Sequence, residues 1–172
     1  MFKQNTEQIS IVDTLTIEQK NSFLNGCQII ILPIGFELWR FISNQADKRF
    51  GSFWLDGQTM DTIMRTLHYS GNFSQANKKN NIRDNLAILK EWSNVSWRQQ
   101  IKLRKEVIAY VGKTGPQKNF KLKSNDLPFG GGAEIQQVIE TRIGSQTQYI
   151  IPRFKNLQNN NEWALLSHFA HV

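Results

Sequence analysis

The sequence predicts an α+β fold with a split, mainly antiparallel β-sheet core and flanking helices. Three observations lead there. Helical periodicity is confined to the first half of the chain, strand-like runs dominate from Ile101 onward, and few strand–helix–strand alternations occur that would build a doubly wound sheet. At 172 residues the chain is long enough for one domain with a sizeable core, so residues 1–172 are read as a single domain with an N-terminal helical segment over 1–26.

The elements follow in order. Residues 5–25 read as helix, with Ile9, Val12, Leu15 and Ile17 near helical spacing and Gly26 as the stop. Gln28 to Ile34 and Phe36 to Ser43 are rich in β-branched and aromatic residues and read as two strands, or one strand bent at Pro33-Ile34-Gly35. Phe50 to Leu55 reads as a short strand and Thr59 to Tyr69 as a helix. Asn77 to Asn81 and Asn159 to Asn161 read as surface loops, and Asn85 to Trp97 carries both helix and strand signals. Lys105 to Val111, Glu134 to Ile139 and Gln148 to Phe154 read as extended, with a turn at Gly112 to Pro116.

Lysine and arginine number 21 against 14 acidic residues, a net charge of +7, which favours anionic partners such as nucleotides, nucleic acid or a membrane surface. The single cysteine, Cys27, cannot form an internal disulfide and is expected to be a small buried hydrophobe in a reducing compartment. Met1 to Ser10 carries no signal-peptide pattern, and the longest apolar run, Ile29 to Ile34, is too short to span a bilayer. The expected location is therefore the cytoplasm, of the producing or the target cell, with no membrane partner.

Two motifs are set aside. Gly112-Lys113-Thr114 resembles the end of a phosphate-binding loop, but Val107 stands where the motif needs its first glycine. His168 and His171 lack a third ligand, the remaining histidine being His68, so no metal is expected and tail histidines are read as solvated.

Three segments carry chemistry. Phe36-Glu37-Leu38-Trp39-Arg40-Phe41 is an apolar strand with one arginine facing opposite to its immediate neighbours, and burying a guanidinium is costly unless an anion receives it. Arg49-Phe50-Gly51-Ser52-Phe53-Trp54-Leu55 offers aromatic faces to a planar ring. Leu127-Pro128-Phe129-Gly130-Gly131-Gly132-Ala133-Glu134-Ile135-Gln136 combines a flexible glycine run, where backbone can approach a ligand, with Glu134 and Gln136 two apart on one strand face.

Together these segments resemble the ADP-ribosyltransferase superfamily, especially its small bacterial toxins and effectors. The order is similar: a first-strand Trp-Arg, a Gly-x-aromatic-aromatic strand, then a triple-glycine loop ending in Glu. Asn85 to Trp92 and Tyr110 to Gln117 resemble further stretches of such domains, so the resemblance spans residues 36–154. It implies NAD⁺ as co-substrate. Arg40 would contact NAD⁺, Phe53 and Trp54 would wall the nicotinamide, Gly131 and Gly132 would let backbone approach it, and Glu134, followed by Gln136, would be catalytic. The Ser-Thr-Ser motif of arginine-type members is absent, since Leu55-Asp56 continues the second strand, which leaves Ser52 without an assigned role.

Cleaving the nicotinamide–ribose bond builds oxocarbenium character that a nearby carboxylate stabilises. The expected activity is transfer of ADP-ribose from NAD⁺ to a macromolecule. Basic residues between Arg98 and Lys123, with Arg98, Lys102, Arg104, Lys105 and Lys118 foremost, point to nucleic acid, RNA favoured, as acceptor. A second cluster holds Lys78, Lys79, Arg83 and Lys90, and Trp92 and Trp97 are available for base stacking. The alternatives are a protein acceptor, water as acceptor (an NAD glycohydrolase), or a non-enzymatic nucleic-acid-binding module. The basic face would equally dock an acidic antitoxin or immunity protein.

Overall fold

The computed structural model describes residues 15–43, 53–69, 74–90, 92–126, 132–152 and 163–172. Helix α1 covers Ile17–Asn21. Thr16 and Gln19 form a capping box: the Thr16 hydroxyl accepts from the Gln19 N–H at 3.1 Å and the Gln19 side chain accepts from the Thr16 N–H at 3.0 Å. The expected helix does not run on to residue 25. Strand β1 begins at Phe23 and continues to Leu32, because pairing with a later strand overrides local helical periodicity. Residues 5–14 of that expected helix lie outside the described residues.

β1 bulges between Leu24 and Gln28, with Asn25 at φ 62° and Gly26 at φ 87°. The bulge leaves Cys27 exposed, which corrects its expected burial. It also explains Gly112. A Cβ there would lie 2.7 Å from the Phe23 ring and 2.8 Å from the Gly26 carbonyl, so the glycine serves packing, not phosphate binding.

The remaining strands are β2 (Glu37–Ile42), β3 (Phe53–Asp56), β4 (Trp97–Leu103), β5 (Val107–Thr114), β6 (Gln117–Asp126), β7 (Gly132–Arg142), β8 (Thr147–Ile150) and β9 (Ala164–His171). Seven form one sheet in the order β1-β5-β8-β3-β2-β4-β9, and β6 and β7 form a separate two-stranded hairpin. Every pairing is antiparallel, so the α+β, split antiparallel expectation is met. β1 and β2 are two strands that do not pair with each other. Three elements differ from expectation: β5 runs through Gly112 to Thr114, β6 forms where no strand is expected, and β9 places His168 and His171 on a strand, where a spacing of three puts them on opposite sides.

One apolar cluster takes Leu32 from β1, Leu38 from β2, Trp54 from β3, Ile101 from β4, Ala109 from β5, Tyr149 from β8 and Ala164 from β9. A sheet whose two edges feed the same core must curl on itself, and the Phe36 ring lies 6.0 Å from that of Tyr149. Each fully buried leucine or isoleucine there contributes about 1.5–3 kcal/mol.

The other sheet face is covered by α2 (Gly57–Tyr69) and α3 (Gln75–Leu86). Met60, Ile63 and Leu67 of α2, at helical spacing, meet Ile82 and Leu86 of α3 over Phe41 and Leu55. Asp56 caps α2 by accepting from the Thr59 N–H at 2.7 Å, and it also accepts from the Tyr149 hydroxyl at 2.9 Å. Burial and that carboxylate push the Tyr149 phenol well above its ordinary value. The asparagine-rich stretch 77–81 is helical, not a loop. Ser74 caps the helix, accepting from the Asn77 N–H at 3.2 Å, and Ile82 and Leu86 bury its apolar side.

Candidate active site

The central strands part where the site lies. β2 pairs with β4 along its full length, Glu37↔Lys102 to Ile42↔Trp97, but with β3 at only two positions, Leu38↔Asp56 and Trp39↔Leu55. Beyond that point a cavity of about 730 Å³ opens, lined by Arg40 and Phe41 of β2 and by Phe53, Trp54 and Leu55 of β3. Its other walls are α1 from Thr16 to Ser22, the segment after α3 with Ala87, Ile88, Trp92 and Ser93, and Thr114, Gly115, Gln117 and Gln148. Such a volume suits a nucleotide-sized ligand.

Arg40 stands across the fork from Trp54, its guanidinium carbon 5.3 Å from the ring centroid. Its cross-strand partner on β4 is Gln99, which is fully buried. Arg40 is half-buried, so its charge meets a medium less screened than bulk water while facing a space that admits a ligand. Trp54 is buried and continuous with the core, whereas Phe53 is 44% exposed at the cavity mouth. Glu18 on α1 is the one carboxylate among the described residues of the lining.

A charged network fixes one wall. Arg142, at the end of β7, reaches Glu140 Oε2 at 2.7 Å, Asp84 Oδ1 at 3.0 Å and Asn80 Oδ1 at 3.3 Å. Glu140 accepts from the Lys90 N–H at 2.9 Å, and Arg83 donates to the Ser93 carbonyl at 3.1 Å. α3, the wall segment 87–93 and the base of the β6–β7 hairpin are thereby tied together. Burial raises the Glu140 carboxyl, but the Lys90 N–H and the Arg142 guanidinium outweigh it, leaving the group below its ordinary value.

A folded-state value below the unfolded one gives stability that is present above the unfolded value and lost as pH falls through the folded one. Glu140→Gln is therefore expected to cost about 1–2 kcal/mol at neutral pH, since glutamine keeps an acceptor and Arg142 keeps Asp84. Most of the difference from the wild type should vanish in acid below the carboxylate range. Urea unfolding of both proteins across pH checks this, and equal stabilities at neutral pH would show that the carboxylate carries no load in the network.

The structure brings together Arg40, Phe53 and Trp54, and adds Trp92 to the same cavity. It treats the rest of the expected site differently. Glu134 pairs with Ser124, Gln136 with Leu122 and Gly132 with Asp126, all in the outer half of the hairpin. Their side chains, and Gly131 and Ser52 entirely, lie outside the described residues. Along β6, roughly 23 Å of extended strand separates Ser124 from Gln117 at the cavity wall.

None of Arg98, Lys102, Arg104, Lys105 and Lys118 lines the cavity. Arg98 stands opposite Phe41 on β4, Lys102 pairs with Glu37 at 3.8 Å, Lys105 lies 4.8 Å over the Trp163 ring, and Lys118 is exposed on β6 beside Gln117. Trp97 is not available for base stacking as expected, because Phe169 stacks on its ring at 4.5 Å and His171 packs against it as well. Sequence reasoning missed Gln99 and Gln148, buried polar residues on strands. A polar residue at an inward position of an apolar strand is the signal that marks them.

No protein-family model and no curated protein matches the sequence. Among solved structures, the chain is similar to one in the structure of Tne2 in complex with Tni2. The match has a TM-score of 0.51 at 16% identity and covers 87% of this chain and 97% of that one. It also matches a chain in the structure of Rhs1-CT in complex with its cognate immunity protein RhsI1, with a TM-score of 0.49 at 14% identity, over 92% of this chain and 88% of that one. The first likeness establishes a shared fold.

Proposed function

We propose that this chain is an NAD⁺-consuming enzyme of the ADP-ribosyltransferase type, acting as a toxin on the nicotinamide–ribose bond. The observation that carries the reading is Arg40 set over Trp54, beside Phe53, in the wall of a cavity of about 730 Å³ where the strands part. The guanidinium would grip the diphosphate as a two-pronged donor. The aromatic side chains would hold the nicotinamide ring, whose departure takes the bond's electron pair onto its nitrogen. ADP-ribose C1′ then bonds to the acceptor, which gives up a proton. Glu134 is the carboxylate that the resemblance assigns to the ribose. The toxin role rests on the same resemblance, and the fold is shared with a chain from a two-protein complex. A dedicated neutralising protein is accordingly part of the proposal.

For the acceptor, the basic residues outside the cavity leave nucleic acid, protein and water as the readings to separate. None of the five basic candidates lines the cavity, so a nucleic-acid acceptor would be held on the surface outside it. Incubating the purified protein with NAD⁺ labelled in the adenylate and with cell lysate separates the readings. Free labelled ADP-ribose without labelled macromolecules would make the acceptor water. Label removed by RNase would make the acceptor RNA, and label removed by protease would make it protein. Unconsumed NAD⁺ under every condition would end the enzymatic reading.

A further inference from the structure

Gln148 is the most constrained polar side chain in the cavity wall. It sits on β8, paired with Gly112 of β5, and β8 is also the strand that holds β3 in place through Phe53↔Ile150 and Trp54↔Tyr149. Strand alternation puts Gln148 on the same sheet face as Ile150 and its cross-strand partner Phe53, which lines the cavity. The side chain is 6% exposed, so its amide must be satisfied by protein or by a ligand.

The amide nitrogen is satisfied. It donates to the Ser22 carbonyl at 3.0 Å and to Ser22 Oγ at 3.1 Å. The orientation of the amide follows from its partners. A backbone carbonyl only accepts, and the Ser22 hydroxyl spends its proton on the Gln19 carbonyl at 2.6 Å, so both groups require N–H on the side of Gln148 that faces them. Ser22 is itself fixed, as the residue that ends α1 and accepts from the Gly115 N–H at 2.7 Å. The amide oxygen is the end left over. Among the described residues nothing donates to it, and Gln148 belongs to the cavity lining.

We infer that the Gln148 side-chain carbonyl is a fixed acceptor for a hydroxyl of the bound ribose, held on station by Ser22. The inference rests on the NAD⁺ reading above and adds a ligand-contacting residue to it. A neutral acceptor locked in place suits a sugar hydroxyl: it accepts a hydrogen bond from the hydroxyl without bringing a charge, and its orientation needs no rearrangement on binding.

The test is a cycle between protein and ligand. Wild type and Gln148→Met are assayed for nicotinamide release and for binding, with NAD⁺ and with analogues each lacking one ribose hydroxyl. Gln148→Met keeps the length and loses both the acceptor and the donors to Ser22, which is why the analogues are needed to isolate the acceptor. It is expected to lower kcat/KM for NAD⁺ about 10- to 100-fold. One analogue should show a similar loss with the wild type and little further loss with the variant. A merely structural glutamine gives a different pattern: the variant's loss multiplies with that of every analogue, and this overturns the inference while leaving NAD⁺ cleavage intact. A wild-type protein that neither binds nor cleaves NAD⁺ overturns the functional reading, and the inference with it. Should Gln148→Met fail to fold, Gln148→Asn keeps the amide but retracts it by one methylene, and the same cycle applies.

Discussion

Arg40→Ala is expected to weaken NAD⁺ binding about 100- to 1000-fold, the loss that follows when a charge-assisted, two-pronged contact to a diphosphate is removed from a partly desolvated site. The fold should survive, because Arg40 lies where β2 and β3 have already parted and the core packs on Leu38 and Trp54. Arg40→Lys discriminates further. It restores the charge but neither the planar fork nor the stacking over Trp54, so recovery of affinity should be partial. Calorimetric titration with NAD⁺ measures both variants, and an unchanged Kd in Arg40→Ala would remove the arginine from the site.

Glu134→Gln should reduce nicotinamide release by about two to three orders of magnitude while leaving the Kd for NAD⁺ within a few-fold, the pattern of an interaction made only in the transition state. The result bears on geometry as much as on chemistry. Glu134 is carried opposite Ser124 in the outer half of the hairpin, far along the strand from the cavity-wall residue Gln117. Loss of turnover with binding intact would assign the carboxylate role to Glu134. Full wild-type turnover in Glu134→Gln would take the carboxylate role away from Glu134 and make Glu18, already in the lining, the next residue to replace.

Much of this arrangement was legible in the sequence where side-chain pattern and local geometry agree. The α+β class, the break at Pro33–Gly35 and the helix ending at Tyr69 all follow from period and punctuation. That Arg40, Phe53 and Trp54 line one cavity does not follow from period: only the family resemblance put them together. The failures share a cause: long-range pairing decided them. Residues 22–25 carry a helical pattern, yet β5 draws Phe23 and Leu24 into a sheet. Asparagines predict a loop at 77–81, yet Ile82 and Leu86 need a helix to reach Phe41 and Leu55. His168 and His171 look like tail residues until β4 offers an edge for β9. Gln148 escaped because nothing in its own segment announces that Ser22, more than a hundred positions earlier, will fix which way its amide points.

The parting of β2 from β3 has one more implication. Each strand keeps its ladder on the far side, β2 with β4 and β3 with β8, so beyond Trp39↔Leu55 the two strands belong to different halves of the sheet. A molecule held by Arg40 on one strand and by Phe53 and Trp54 on the other would bear on both halves at once. It therefore acts as a wedge with a set width: the spacing of the two half-sheets and the fit of the occupant are a single mechanical variable, and whatever shifts one shifts the other.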